Sequence, residues 1–185
     1  MASVLYDCGI CILAGGLSRR MGRNKASLRL GSRTLLGQIR AEARDLGLPL
    51  RAVRHDLVPR CGPLGGVYTA LKTSRAAAEL FLACDMPFVS ARLMERLLDS
   101  WEADRVAVFM TSVQGAGFPF LAPVNVLPIV ARQISRKQYS LQKLAQILEA
   151  RLIPSLAIES GELFNVNTPE AWRVARALWR AAQRR

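Results

Sequence analysis

The chain has one histidine, His55, and only four cysteines among its 185 residues. A histidine-based metal cluster, or a Ser-His-Asp triad with a spare base, is hard to build from one imidazole, which excludes most hydrolase mechanisms. Cys8 and Cys11 form a CxxC, but this spacing on a strand directs the two side chains to opposite faces, and no second CxxC completes a zinc site. We therefore expect core thiols and a reducing compartment.

Long apolar runs are also absent. No stretch approaches the roughly 20 residues of a membrane span, and residues 1–8 lack the basic region and apolar stretch of a signal peptide. We therefore expect a cytoplasmic protein without a membrane partner. The 51% hydrophobic composition, with no shift along the chain, predicts one domain over residues 1–185.

Acidic residues are too few to balance the basic ones, and the formal net charge of +12 implies an anionic partner. Part of this charge recurs at helical spacing near the end of the chain, where a solvated helix face is the favoured interpretation. No stretch interleaves arginines with aromatic side chains, so we do not expect a nucleic-acid partner. The arginines of that terminal segment are Arg173, Arg176, Arg180, Arg184 and Arg185.

What the chain does contain is an apolar run, Cys8 to Ala14, followed by a glycine-rich basic loop that ends at Lys25. Glycines allow successive N–H groups to turn towards an anion, so the loop suits a phosphate. It matches neither GxxxxGK[ST] nor GxGxxG, and the alternative is an ordinary strand-to-helix turn with a basic rim. The glycines are Gly15, Gly16 and Gly22, and the cations are Arg19, Arg20, Arg23 and Lys25.

Strand and helix patterns alternate along the rest of the chain, which predicts a three-layer α/β fold. The periodicity predicts a helix over Ser32 to Leu46 and a short strand over Leu48 to Val53. Ser90, Ser140 and Thr168 are predicted to cap later helices. The basic loop then lies at the carboxyl end of a buried strand, where ligands collect in open α/β sheets.

Three further segments carry candidate site residues. Gly62 to Gly66 contains Pro63 as a first helical residue, and this helix N-terminus would hold a phosphate or carbonyl oxygen or be an ordinary capped turn. Asp85 follows a buried strand, Leu80 to Cys84, and suits Mg²⁺ or a plain turn. Asn165 and Asn167 point the same way if extended, and would bind a polar heterocycle or cap the backbone.

Four motifs in order resemble those of the molybdenum cofactor guanylyltransferases, the MobA family of nucleotidyltransferases. They are Leu-Ala-Gly-Gly with Arg-Met-Gly and Asn-Lys-Ala, then Gly-Pro-Leu-Gly-Gly, Ala-Cys-Asp-Met-Pro-Phe and Phe-Asn-Val-Asn-Thr-Pro-Glu. The resemblance implies a Rossmann-like nucleotidyltransferase fold with a mostly parallel central sheet. It also implies transfer of GMP from GTP to the phosphate of molybdopterin, with release of pyrophosphate and use of Mg²⁺.

The resemblance implies roles for individual residues. Arg19 and Lys25 would contact the triphosphate, Asp85 would hold Mg²⁺, and Asn165 and Asn167 would face the pterin. GTP and molybdopterin would be the substrates, and a molybdoenzyme or cofactor-carrier protein would receive the product. Residues implied around the nucleotide are Leu13, Ala14, Gly15, Gly16, Asp56, Gly62, Pro63 and Leu64.

The chain departs from the family pattern after Gly47, where residues 48–60 are too few for the family's second sheet strand and its loop. One strand is therefore expected to be shortened or missing. This leaves three alternatives: a neighbouring segment fills the place of the strand, an edge of the sheet is left open, or the protein binds nucleotide poorly. The glycine pairs 15–16 and 65–66 favour the guanylyl over the cytidylyl branch of these nucleotidyltransferases. Two alternative functions are considered. One is nucleotidyl transfer to another phosphorylated acceptor, of the cytidylyl or sugar-phosphate type, and the other is a catalytically weak nucleotide-binding module.

Overall fold

The structure is a computed structural model that describes residues 7–15, 27–156 and 161–183, without the side chains of residues 102–104. Within these ranges, strands and helices alternate as predicted. The strands are β1 (Cys8–Leu13), β2 (Arg29–Leu30), β3 (Arg33–Thr34), β4 (Leu50–Val53), β5 (Ala78–Ala83), β6 (Val108–Ser112), β7 (Gly115–Pro123) and β8 (Arg151–Pro154). The helices are α1 (Leu35–Arg44), α2 (Pro63–Thr73), α3 (Ala91–Asp104), α4 (Leu127–Ser135), α5 (Leu141–Ile147) and α6 (Pro169–Ala182).

The central sheet has six strands in the order β4-β1-β5-β7-β6-β8. β4, β1 and β5 pair in parallel, as do β6 and β8, while β7 runs antiparallel between β5 and β6. Strands β2 and β3 form a separate hairpin. The predicted α/β fold with a mostly parallel sheet is confirmed.

Alternation along β1 places its side chains in two cores, one on each face of the sheet. Cys8, Ile10 and Ile12 pack with α1 and α3, whereas Cys11 packs with α2, α4 and α5. The two cysteines of the CxxC therefore lie on opposite faces, as predicted. Both are buried thiols that form no disulfide, and burial, opposed in part by the charge of Arg51, raises the pKa of Cys11 to about 12.

The central sheet ends at β4 on the side of the shortened region. β4 pairs with β1 through residues Leu50 to Val53, and no strand pairs with its other edge among the described residues. Of the three alternatives that the shortened region allowed, the described part of the chain shows the open edge. The predicted strand over Leu48 to Val53 is present but begins two residues later.

Helix α1 begins three residues later than predicted. Gly31, at φ +65°, turns the chain between β2 and β3, and Ser32 lies in that turn instead of starting a helix. The N-cap is Thr34, whose hydroxyl oxygen accepts the Gly37 N–H at 3.0 Å. The Leu35 N–H donates to the carbonyl of Leu28, seven residues earlier, at 2.8 Å, which closes the β2–β3 hairpin at the start of α1.

Helix α6 packs on the β2–β3 hairpin instead of on the central sheet. Its Trp179 indole lies so close to Gly31 that a Cβ there would come within 2.7 Å of the indole nitrogen. These elements enclose a small third core around Leu30, Leu35, Val166 and Ala175. The side chains of Leu28, Phe88, Phe164, Trp172 and Trp179 pack against this third core.

The outer face of α6 carries the terminal arginines. Arg173, Arg176 and Arg180 are exposed, which confirms the predicted solvated face for the described part of this segment.

Among the described helices, none combines the length and apolarity that a bilayer crossing requires.

Candidate active site

The parallel strands β4, β1 and β5 end side by side. Leu13 stands opposite Val53 on one side and Ala83 on the other. The Ala14 N–H donates to the Val53 carbonyl at 2.8 Å, and the Cys84 N–H donates to the Leu13 carbonyl at 3.1 Å. The segments that follow the three strands therefore leave the sheet at one edge, where open α/β sheets bind ligands.

The carboxylate of Asp56 lies among three glycines at this edge. A Cβ on Gly65 would come within 2.9 Å of one Asp56 oxygen, and a Cβ on Gly15 or Gly66 would lie 3.4 Å from the other. The Gly65 Cβ would also lie 2.6 Å from the Val58 carbonyl oxygen. The loop before α2 and the first turn of α2 are thus packed backbone to backbone, which only glycine permits.

Hydrogen bonds hold that loop on α2. The Leu57 N–H donates to the Thr69 hydroxyl oxygen at 2.8 Å, and the same hydroxyl donates to the Gly65 carbonyl at 2.8 Å. Thr69 is buried, so this bridge is shielded from water. The position of Asp56 is therefore set by contacts on both sides of its loop.

The N-terminus of α2 faces this carboxylate without a side-chain cap. Gly62 is the N-cap at φ 56°, and it makes no side-chain capping bond to the first turn. Partial burial raises the pKa of Asp56 above its ordinary 3.8, and the charge of His55 partly opposes this. A helix N-terminus without a side-chain cap suits the oxygens of an anionic or carbonyl-bearing ligand.

The other residues of the Gly62 to Gly66 motif have different surroundings. Gly62 and Pro63 are exposed, whereas the Leu64 side chain is fully buried in the core beneath α2 and can offer only its backbone to a ligand. Leu13 and Ala14 are half-buried at the end of β1. The motif therefore presents backbone, not side chains, to the edge of the sheet.

Asp85 lies in the turn after β5, half-buried, at the same edge. The turn closes through the Met86 N–H, which donates to the Ala83 carbonyl at 3.2 Å. Ser90 is the N-cap of α3, as predicted, and its hydroxyl accepts the Leu93 N–H. No group of three or more His, Cys, Asp or Glu among the described residues could hold a metal alone. A carboxylate in this setting fits a hard cation whose remaining ligands are phosphate oxygens and water.

The Phe164 to Thr168 segment lies directly against the Asp85 turn. The N–H of Val166, which is fully buried, donates to the Asp85 carbonyl at 2.8 Å. Asn165 and Asn167 flank Val166, and both line a cavity of about 440 Å³. The structure thus brings the two asparagines together at one cavity beside the predicted metal ligand.

The opposite wall of this cavity is the β6–β7 hairpin. Ser112 and Gln114 contribute polar groups, and Phe118 and Phe164 contribute aromatic rings. Amide and hydroxyl groups between aromatic rings suit a flat ligand with polar edges. The hairpin was not predicted as part of the site, because its Gly115 and Gly117 indicate a turn and nothing in its composition points to a ligand.

Three residues of the predicted site, Gly16, Arg19 and Lys25, lie outside the described residues, and their contacts with a triphosphate stay predictions. The closeness of Gly65 and Gly66 to Asp56 could not be derived from the sequence. Its signal was present in part, since two adjacent glycines inside a helix are costly unless another chain segment packs against them.

Comparison with known proteins agrees with this geometry. Residues 10–152 match the family model described as a MobA-like NTP transferase domain. A molybdenum cofactor guanylyltransferase of Xanthomonas euvesicatoria is 32% identical over 171 residues, covering 87% of this chain and 90% of that protein. A probable molybdenum cofactor guanylyltransferase of Opitutus terrae is 33% identical over 184 residues, covering 86% and 90%.

Solved structures share the fold. Molybdopterin-guanine dinucleotide biosynthesis protein A of Archaeoglobus fulgidus superimposes with a TM-score of 0.75 at 19% identity, covering 94% of this chain and 99% of that one. The 2-C-methyl-D-erythritol 4-phosphate cytidylyltransferase of Thermus thermophilus gives 0.69 at 20% identity, covering 93% and 98%. At these identities the likeness concerns the fold alone.

Proposed function

Because the chain belongs to the family of MobA-like NTP transferase domains, we propose that it is a molybdenum cofactor guanylyltransferase. It would transfer GMP from GTP to the phosphate of molybdopterin and release pyrophosphate. The observation that carries the proposal is the Val166 to Asp85 hydrogen bond, which joins the glycine-lined edge to the asparagine cavity. A donor nucleotide and a heterocyclic acceptor could therefore meet beside one carboxylate.

The donor side consists mainly of backbone. Gly15 and the first turn of α2, Gly62 to Gly66, would surround the nucleoside, and Asp56 would accept hydrogen bonds from it. Leu13, Ala14 and Gly16 complete this proposed nucleotide site. Arg19 and Lys25 would bind the triphosphate, where their positive charge favours a polyanionic ligand.

The reaction needs alignment more than a protein nucleophile. An oxygen of the acceptor phosphate attacks the α-phosphorus of GTP, a new P–O bond forms, and the bond to the pyrophosphate oxygen breaks. Asn165 and Asn167 would orient the acceptor phosphate in line with the bond that breaks, which lowers the entropic cost of reaching the transition state. Arg19 and Lys25 would stabilise charge on the departing pyrophosphate. Mg²⁺, when bound by Asp85, would supply further charge neutralisation at the phosphates.

The proposal extends to the whole chain and its setting. Residues 1–185 would form a single catalytic domain, with GTP and molybdopterin as substrates. A molybdoenzyme or a cofactor-carrier protein would receive the product, and the reaction would take place in the cytoplasm. The names of the Xanthomonas and Opitutus relatives support guanine as the base.

Calorimetry with GTP, CTP and ATP in the presence of Mg²⁺ tests the base. We expect GTP to bind and CTP to bind at least tenfold more weakly. Binding of CTP without GTP would make the guanylyl assignment wrong. Product analysis with molybdopterin as acceptor then tests the transfer: nucleotide binding without any product would indicate a binding module or a different acceptor.

Asp85→Asn tests the metal site. We expect turnover to fall about 10³-fold, because a neutral amide would bind Mg²⁺ more weakly than a carboxylate does. The charge on the phosphates would then be less well neutralised. Asp45→Asn is the matched control, since it makes the same charge change at the exposed C-cap of α1, ahead of β4. Equal turnover in the two variants would remove Asp85 from the mechanism.

A further inference from the structure

Residues 162–167 carry Asn165 and Asn167, and we call them the asparagine segment. Glu162 connects this segment to the start of α3. One of its carboxylate oxygens, Oε2, accepts the Ser90 N–H at 3.1 Å and the Ser90 hydroxyl at 2.7 Å. Both residues are half-buried, although they stand 72 positions apart in the chain. Hydrogen bonds to a carboxylate are the stronger kind, particularly at a helix N-terminus.

Two further contacts join the same pair of segments. The Val166 N–H donates to the Asp85 carbonyl, and the rings of Phe88 and Phe164 lie 6.4 Å apart between centroids. The turn 85–90 and the segment 162–167, which carries both asparagines, are therefore connected at three places along their length. Phe88, Phe164 and Val166 also share the third core, so neither segment moves without disturbing that core.

These contacts set the distance between the two functional groups of the proposed site. Asp85 belongs to the turn, and Asn165 and Asn167 belong to the segment. An in-line transfer requires donor phosphate and acceptor phosphate to be placed within a fraction of an ångström, so the relative position of turn and segment matters for catalysis.

We propose that Glu162 is a positioning residue that fixes the asparagine segment against the Asp85 turn and thereby couples acceptor binding to nucleotide binding. The proposal rests on the proposed function for the identity of the two ligands. It does not require Glu162 to touch either of them. Nucleotide bound at Asp85 would hold the turn, and through Ser90 and Glu162 it would order the segment that receives the acceptor.

A second carboxylate provides a matched control. Glu42 of α1 accepts the Ala91 N–H at 3.2 Å, so it also bonds to the start of α3. Among the described residues, Glu42 contacts the start of α3 and makes no hydrogen bond to the asparagine segment. Glu42→Ala therefore removes a helix-terminal carboxylate without cutting the proposed link. If Glu162 only stabilises α3, then Glu162→Ala and Glu42→Ala should behave alike.

The kinetic test compares Glu162→Ala, Glu162→Gln and Glu42→Ala. In Glu162→Ala we expect the KM for molybdopterin to rise about tenfold, while the Kd for GTP without acceptor stays within twofold of the wild type. In the wild type we expect the acceptor to increase the affinity for GTP about tenfold, and in Glu162→Ala we expect no increase. Glu162→Gln retains a carbonyl oxygen for Ser90 and should restore most of the coupling. A KM unchanged in Glu162→Ala, or raised equally in Glu42→Ala, would overturn the proposal.

Hydrogen exchange gives a readout that does not need turnover. In the wild type and in Glu42→Ala, saturating GTP with Mg²⁺ should slow exchange of the 162–166 amides at least threefold, and in Glu162→Ala this protection should be lost. A wild type that shows this protection but no GMP transfer would refute the proposed function alone. Equal protection in Glu162→Ala, or none in the wild type, would refute the positioning role.

Discussion

Gly65→Ala should disturb the nucleotide site although it improves the helix. Alanine is favoured over glycine by about 1 kcal/mol in a helix interior and by less in the first turn, where Gly65 lies. The new Cβ would stand 2.6 Å from the Val58 carbonyl oxygen, whereas ordinary contact begins at 3.4 Å, so the loop would have to retreat by about 0.8 Å. Overpacking of this size costs about 1–3 kcal/mol, so we expect a net loss of stability of about 1 kcal/mol.

The effect on nucleotide binding should be larger than the effect on stability. The loop cannot retreat without lengthening the bond from the Leu57 N–H to the Thr69 hydroxyl, and it carries Asp56 with it. A hydrogen bond to a charged group contributes about 1.5–3 kcal/mol, so losing the bond from the nucleoside to Asp56 should make GTP bind about 10- to 100-fold more weakly. Calorimetry measures the affinity, and urea unfolding measures the stability.

Two glycines serve as controls for Gly65→Ala. The Cβ of Gly66→Ala would meet the Leu13 methyl groups at 3.1 and 3.2 Å, and these can rotate away, so we expect less than a tenfold loss of affinity. A Cβ on Gly161 meets nothing within 4 Å, and Gly161→Ala should leave both quantities unchanged. If Gly65→Ala binds GTP as tightly as Gly161→Ala does, the backbone contact does not position Asp56 and the reasoning is wrong.

Two other predictions concern charges. Arg51 lies 2.7 Å from the buried Glu79 carboxylate, and Arg51→Met leaves that carboxylate without its cation. We expect this variant to lower the free energy of unfolding by about 3 kcal/mol, the low end for a buried pair because a third of the Arg51 side chain is exposed. Glu79→Gln leaves only the guanidinium, which reaches solvent, without its partner, so urea unfolding should show a smaller loss, and the reverse order would contradict this. Burial raises the pKa of Asp56, so the ionised carboxylate is disfavoured in the folded state. The contribution of Asp56 to the free energy of unfolding is therefore fully present below pH 3.8 and is lost as the pH rises through the pKa of the folded state. Asp56→Asn should therefore stabilise the protein at neutral pH but not below pH 3.8 in thermal unfolding; a gain of equal size at both would exclude titration of Asp56 as its cause.

Local features of the fold could be predicted because they depend on neighbouring residues. Ser90, Ser140 and Thr168 are N-caps as expected, and each hydroxyl accepts an N–H three residues on. The predicted start of α1 was wrong for a non-local reason. Ser32 and Thr34 both suit a cap, and the β2–β3 hairpin packed under Trp179 selects Thr34.

The candidate site could be predicted only in its parts. Asp85 and the asparagine pair were recognisable by type and position, but their connection through Val166 was not. Ser112 and Gln114 carry no sequence signal of their own and enter the site because β7 runs antiparallel beside β5. The order of strands in a sheet is a long-range property, and several orders satisfy the same pattern of apolar residues.

The amino-acid sequence was enough to predict which faces of the strands and helices are buried, where most helices begin, and which residue types stand at the strand ends. These depend on hydrophobic periodicity and on hydrogen bonds that span three or four residues. Three features could be seen only once the chain was folded: Asp56 lies against Gly65, Glu162 reaches Ser90, and β4 is the edge of the sheet within the described part of the chain. Those contacts join residues far apart in the chain, and packing of the whole core fixes them because no local preference does.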